Sequence, residues 1–224
     1  MKQLSRTTLA ALAFVSAFAA LPAAAQQDEE IMTERARRSL ENFMHDPDLR
    51  WLRENAPKAQ AILVVPEMVK LGLILGVSGG TGVAYRRDAK GGWTGPVFYT
   101  LTSGSLGIQV GAQVSEVILV MTSERGAERL TSNSFKLGPD ASVAAGPVGV
   151  GAAGAPIADV VSYSRTQGLF VGLSLEGTVI SPRDDWNREY YGSGATASDV
   201  LSGKAGGGKG ADARAAVQKI LGGN

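Results

Sequence analysis

The chain has 224 residues, 22 basic and 21 acidic side chains, a formal charge of +1 and no cysteine. That balance offers no basic excess for nucleic acid, and without cysteine there is no disulfide framework, thiolate nucleophile or cysteine metal site. Stability must therefore come from burial, for which this length suffices to build one sizeable core.

Lys2 and Arg6 precede an apolar run, TLAALAFVSAFAALP, which ends in Ala23-Ala24-Ala25. A short positive start, roughly 15 apolar residues and a small-residue end form the pattern of a secretory signal peptide over residues 1–25. The run is short for a membrane span. The expectation is an exported, periplasmic chain starting at Gln26, with a formal charge of −1 once Lys2 and Arg6 are removed.

Residues 26–56 read as an N-terminal helical segment. Met32, Ala36, Leu40 and Phe43 or Met44 make one apolar stripe, which predicts a helix over Asp28 to His45, stopped by Pro47. Arg35, Arg37, Arg38, Glu34 and Glu41 lie on its flanks and back. A second short helix is expected from Asp48 to Asn55, ended by Pro57.

From Ala61 the apolar period becomes two. AILVV before Pro66 reads as a short buried strand. Leu71, Leu73, Leu75, Val77, Val83 and Tyr85 alternate with glycine and serine. Leu106 to Val114 and Leu169 to Leu175 alternate in the same way. Val117 to Thr122 and Ile157 to Ser164 read as further strands, and Lys90 to Trp93 as a hairpin turn. Ser123 to Ser132 predicts a short helix with Ser123 as its N-cap. Asp184 to Tyr191 predicts another, and Thr196-x-x-Asp199 resembles a capping box. Ser202 to Gly210 reads as a flexible Gly/Lys linker before a terminal helix, Ala211 to Leu221.

These signals predict an α+β fold: a curled, mainly antiparallel, barrel-like sheet with an N-terminal helical segment and short peripheral helices. The main domain is expected over 57–202, with the linker and C-terminal helix over 203–224. The 29 glycines leave two readings open. They let strands bend and approach closely, or they clear a groove in which an acyl chain or a partner could lie.

Enzyme motifs fail on context. Gly149 to Gly154 (GVGAAG) has dinucleotide-loop spacing, but Pro156 and a strand-like run follow where a helix must begin. Gly76 to Gly80 (GVSGG) matches G-x-S-x-G, but no histidine lies downstream, and His45 is the sole histidine. No cofactor or metal ligand set is evident, and no catalytic residue is assigned.

Five blocks in order resemble the SYLF domain, a lipid-binding module. They are KLGLILGVSGGTGVAY (70–85), GWTGP (92–96), GIQVGAQVSEVILVMT (107–122), KLGPDASVAAGPVG (136–149) and YSRTQGLFVGLSLEGTVI (163–180), within roughly Ala56 to Leu201. The chain departs from the family pattern at Gly138-Pro139-Asp140, at Val150 (where relatives often carry Arg) and at Ala59-Gln60-Ala61. Each change thins the basic character.

The resemblance implies a non-enzymatic protein that binds anionic phospholipid or a membrane surface of the cell envelope. Its candidate residues are Arg35, Arg37, Arg38, Lys58, Lys70, Arg86 and Arg87. Either the helical stripe enters the headgroup boundary while arginines meet phosphates, or the stripe packs on the sheet and the arginines pair with Glu34 and Glu41. The alternative function is a structural or partner-binding envelope protein. An outer-membrane barrel fits poorly, because a helix interrupts the strands.

Overall fold

The computed structural model describes residues 21–72, 75–106, 111–149, 158–166, 169–170, 175–192 and 194–222. Most of the leader reading, Val150 and the GVGAAG stretch after Gly149 lie outside them.

Helix α1 (Leu21–His45) is followed by α2 (Arg50–Asn55) and a 3-10 turn, Ala56–Lys58. Four long strands come next: β1 (Ala61–Gly72), β2 (Leu75–Arg87), β3 (Trp93–Leu106) and β4 (Gly111–Met121). Then follow α3 (Glu124–Arg129), β5 (Phe135–Lys136), β6 (Val143–Ala145), β7 (Val160–Thr166), β8 (Leu169–Phe170), β9 (Val179–Pro182), α4 (Asp184–Tyr191), α5 (Ala197–Leu201) and α6 (Ala211–Gly222). Among the described residues the strands form one sheet in the order β5-β9-β3-β2-β1-β4-β7-β6, with β8 on β7. Every pairing is antiparallel except β6 with β7. The α+β expectation holds, as do the Ser123 cap, which accepts from the Gly126 N–H at 3.0 Å, and the Thr196 cap, which accepts from Asp199 at 3.1 Å.

Helix α1 starts before the expected Asp28, at Leu21, because Ala23 to Gln27 are good helix formers. Helix α2 starts later than Asp48, because Asp46 to Leu49 close a turn through the Leu49 N–H to the Asp46 carbonyl at 3.2 Å. The strand expected to end at Pro66 instead runs through it to Gly72. Proline cannot donate to a ladder, and both pairings of β1 shift register at this point. That bulge absorbs Pro66 and reverses which face each later residue takes.

Two cores sandwich the sheet. On the concave face Leu63, Val65, Met68, Ala84, Leu101, Val117 and Leu119 pack with Leu130, Phe135, Leu175 and Leu201. On the other face Ile62, Val64, Tyr85, Phe98, Ile118 and Tyr163 pack under Ala36, Leu40, Phe43, Leu52, Val217 and Leu221. At the centre of β2 the glycines serve close strand approach, while Gly104 and Gly111 face open space. A Cβ on Gly80 would lie 2.6 Å from the Glu67 carbonyl oxygen, and one on Gly82 would lie 2.8 Å from Leu63 Cδ1. The missing side chains let β1 close over β2, so these glycines serve the curl and clear no groove.

The Gly/Lys segment before α6 is laid out as turns. Arg214 donates to the carbonyls of Gly95, Gly207 and Lys209 at 2.8, 3.0 and 2.7 Å, which ties it to β3.

Candidate functional site

Helix α1 crosses the strands as a strap, and three contacts fix its line. Arg165 of β7 lies over the Phe43 ring at 5.0 Å and also donates to Glu116 of β4 through Nε at 3.0 Å. Ser39 Oγ donates to the same Glu116 at 2.5 Å. Arg35 meets Glu67 of β1 at 3.6 Å.

Beyond this line the ends of β1, β2, β3 and β4 continue on the helix-bearing face, where apolar side chains stay exposed. The register sets Leu71 beside Val77 and Ala112, Val69 beside Gly79 and Val114, and Val77 beside Gly104. Leu71 is 51% exposed, Val77 63% and Val114 50%. On the opposite face Leu169, at the start of β8, is 72% exposed. Neighbouring exposed apolar side chains on a sheet face make this a candidate interaction surface. Between Glu67 and Glu116 the sole acidic residue is Asp88. It accepts from Gly92 in the β2–β3 turn, at the other end of the sheet. The uncovered end is therefore apolar and free of acids in sequence.

The seven basic candidates do not gather into one patch. Arg37 is held by Glu34 at 2.7 Å and by Glu41, and Arg38 donates to Glu34 at 2.8 Å. Hydrogen bonds from Arg37, and then from Arg38, hold the Glu34 carboxyl down at about 2. Arg86 pairs with Glu124. Arg87 donates to the carbonyls of Pro57, Ala59 and Gly91 at 2.6, 3.1 and 2.7 Å, and stacks 4.4 Å from the Trp93 ring centroid. Lys58 is exposed at the end of the 3-10 turn. Lys58, Arg86 and Arg87 thus share one end of the sheet. Lys70, opposite Ser78, stands at the other end, the end that carries the exposed valines and leucine. Arg35 sits on the strap between them.

The apolar stripe of the helix packs on the sheet. Ala36, Leu40 and Phe43 are buried under 2% exposure; Arg37 and Arg38 pair with glutamates of the same helix, and Arg35 pairs with Glu67 of β1. Sequence reasoning missed Leu71, Val77 and Val114 as a surface. Their alternation reads like any core-facing strand, and only the line of the strap shows which part of that face stays open.

Other chemistry is sparse. Among the described residues no three His, Cys, Asp or Glu side chains stand close enough to hold a metal ion, and no described helix is long and apolar enough to cross a membrane. A groove of about 660 Å³ runs between α1 and α6, lined by Glu34, Arg37, Tyr190, Lys209 and Asp212. Most of its charges already pair with one another: Arg37 with Glu34, and Lys209 with Glu30 at 3.8 Å.

Residues 102–220 match the model of the Ysc84 family, described as Las17-binding protein actin regulator. The chain belongs to this family. It is the SYLF-type family that the five sequence blocks resemble. An SH3 domain-containing protein of Schizosaccharomyces pombe is 33% identical over 149 residues, covering 63% of this chain and 35% of that protein. Protein YSC84 of Saccharomyces cerevisiae is 31% identical over the same length, 63% of this chain and 32% of its own. The SH3 domain-containing YSC84-like protein 1 of Homo sapiens is 30% identical over 146 residues, 63% of this chain and 43% of its own. The chain therefore spans less than half the length of these relatives. Ysc84-type proteins are described by what they bind, and this chain is read accordingly as a binding protein.

Proposed function

We propose that this Ysc84-family chain is a non-enzymatic protein of the cell envelope that docks on an anionic phospholipid surface through the uncovered end of its sheet. The observation that carries this reading is the exposed trio Leu71, Val77 and Val114 on a strand end without acidic residues. Such a surface enters the boundary between headgroups and acyl chains favourably, and on the adjoining strap Arg35 and Arg38, exposed though paired with Glu67 and Glu34, stand where they can exchange those surface pairs for lipid phosphates. The leader pattern of residues 1–25 supports export and a periplasmic place of action. The basic residues at the far end of the sheet take no part: Arg86 and Arg87 have internal partners, and the exposed Lys58 lies too far along the strands to share the contact.

The magnitude is adequate for reversible binding. Full burial of a Val or Leu side chain contributes ~1.5–3 kcal/mol. About half of each is still accessible, so each gives ~1 kcal/mol on insertion and the trio ~3 kcal/mol, a factor of roughly 150. Co-sedimentation with vesicles of phosphatidylcholine and phosphatidylglycerol tests it. Wild type is expected in the pellet, and the Leu71→Ser, Val77→Ser, Val114→Ser triple variant in the supernatant. Equal pelleting of a folded triple variant would overturn the surface assignment.

A second reading, a protein-partner role in the envelope, draws on the family's description as Las17-binding. A stoichiometric protein partner that binds wild type and not the triple variant would favour it.

A further inference from the structure

The reverse face of the same strand ends carries a different chemistry. On the concave face, side chains an even number of residues beyond core members continue its line. Lys70 follows Met68, Ser103 follows Leu101, Ser78 lies six residues before Ala84, and Gln113 four before Val117. The pairing register puts these four abreast. Ser103 is opposite Ser78, Ser78 opposite Lys70, and Lys70 opposite Gln113. Gln113 Nε2 then donates to Thr166 Oγ1 of β7 at 2.9 Å, and Thr166 Oγ1 shares a 2.6 Å hydrogen bond with Ser115 Oγ. A belt of five polar side chains thus runs across β3, β2, β1, β4 and β7 at the ~4.8 Å strand spacing, with one cation at its centre.

All five are half-buried. Among the described residues Lys70 has no ion-pair or hydrogen-bond partner, nor do the Ser78 and Ser103 hydroxyls. A partly exposed lysine beside two hydroxyls and an amide sets several donors side by side within reach of an external acceptor. Neither β1 nor β2 carries an acid beyond Glu67, which lies on the other face, toward Arg35.

We infer that this belt is a phosphate-reading site: Lys70 supplies the charge, and Ser78, Ser103 and Gln113 donate to the oxygens of a phospholipid headgroup. This deepens the membrane reading and rests on it. Lys70 and Leu71 are successive residues on opposite faces, ~3.3 Å apart along the strand. A sheet end whose apolar face enters the acyl boundary therefore carries its polar face to the depth of the phosphates.

The test uses the full chain as Lys70→Gln and Lys70→Arg variants, checked for folding by circular dichroism. Two probes are used: vesicles of phosphatidylcholine with phosphatidylglycerol, and soluble glycerol 3-phosphate followed by amide NMR. The expected result is a roughly fivefold loss of vesicle affinity for Lys70→Gln, the contribution of one basic residue near an anionic surface. Lys70→Arg should retain affinity, and glycerol 3-phosphate should shift the Ser78 and Gln113 signals of wild type and Lys70→Arg but not those of Lys70→Gln. Unchanged vesicle affinity in Lys70→Gln, with no such shifts in wild type, overturns the belt while leaving the membrane reading intact. Shifts with glycerol 3-phosphate but no vesicle binding by wild type support the belt as a site for free phosphate esters, and overturn its assignment to lipid.

Discussion

The last β3 pairing on the β9 side joins Tyr99 to Pro182, so the next residue, Phe98, has no strand beside it. Asn187 of α4 takes that place. Its Oδ1 accepts from the Phe98 N–H at 2.9 Å and its Nδ2 donates to the Phe98 carbonyl at 3.0 Å, while the side chain is 1% exposed. Asn187→Leu keeps the approximate volume and removes both bonds. The Phe98 carbonyl retains the Arg183 N–H at 2.8 Å, so the cost falls mainly on the N–H. An orphaned buried donor costs ~1–3 kcal/mol. Adding part of the second bond gives a loss of about 2–3 kcal/mol, or roughly 5–10 °C in Tm for a chain of this size. Urea unfolding measures it, and amide exchange at Phe98 reports the local effect. A change under about 0.5 kcal/mol, with Phe98 still protected, would refute the idea that a side chain completes the sheet here.

Three further outcomes follow from particular contacts. Gly82→Val should fail to fold or lose several kcal/mol by thermal melt, because even a Cβ there meets Leu63 and Val65 within 3 Å and the strands cannot separate without unpacking the concave core. Glu116→Ala should loosen the strap by removing the shared acceptor of Ser39 and Arg165, which limited proteolysis of α1 would reveal as faster cleavage. The depressed Glu34 carboxyl stabilises α1 above the ordinary value near 4.5, and that contribution is lost as pH falls toward about 2. With 43% of its side chain exposed, the effect is below about 1 kcal/mol. Glu34→Gln should flatten the acid limb of the stability curve between pH 4.5 and 2, with a smaller difference from wild type in high salt.

Elements with local signals were legible from residue order. The stripe Ala36, Leu40 and Phe43, the caps Ser123 and Thr196 and the Lys90–Trp93 turn each declare themselves within a few residues, and each forms. Pro66 misled because a bulge is a property of three strands together, invisible in the run AILVVPEMV. The site was half legible. Lys70 stood out as a basic residue in a glycine-rich strand. Its neighbours Ser78, Ser103 and Gln113 come from three other strands, up to 43 residues away, and only register brings them abreast. Leu71, Val77 and Val114 carry the same pattern as buried Val83 and Tyr85. What separates them is where α1 crosses the sheet, a tertiary fact set by Ser39, Glu116 and Arg165. Arg37 and Arg38 of α1 drew attention by charge, yet their partners Glu34 and Glu41 sit one turn away, the spacing that most readily satisfies them.

The central claim is that the uncovered sheet end, and no other face, enters the membrane. The absence of cysteine allows one nitroxide label per variant, placed at Val77→Cys or at Lys219→Cys on the exposed side of α6. Electron paramagnetic resonance on vesicle-bound protein then compares the accessibility of each label to oxygen and to a water-soluble relaxant. The account predicts a label at position 77 shielded from water and accessible to oxygen, and a label at position 219 in water. A vesicle-bound protein with position 77 in water, or with position 219 in the bilayer, would contradict it.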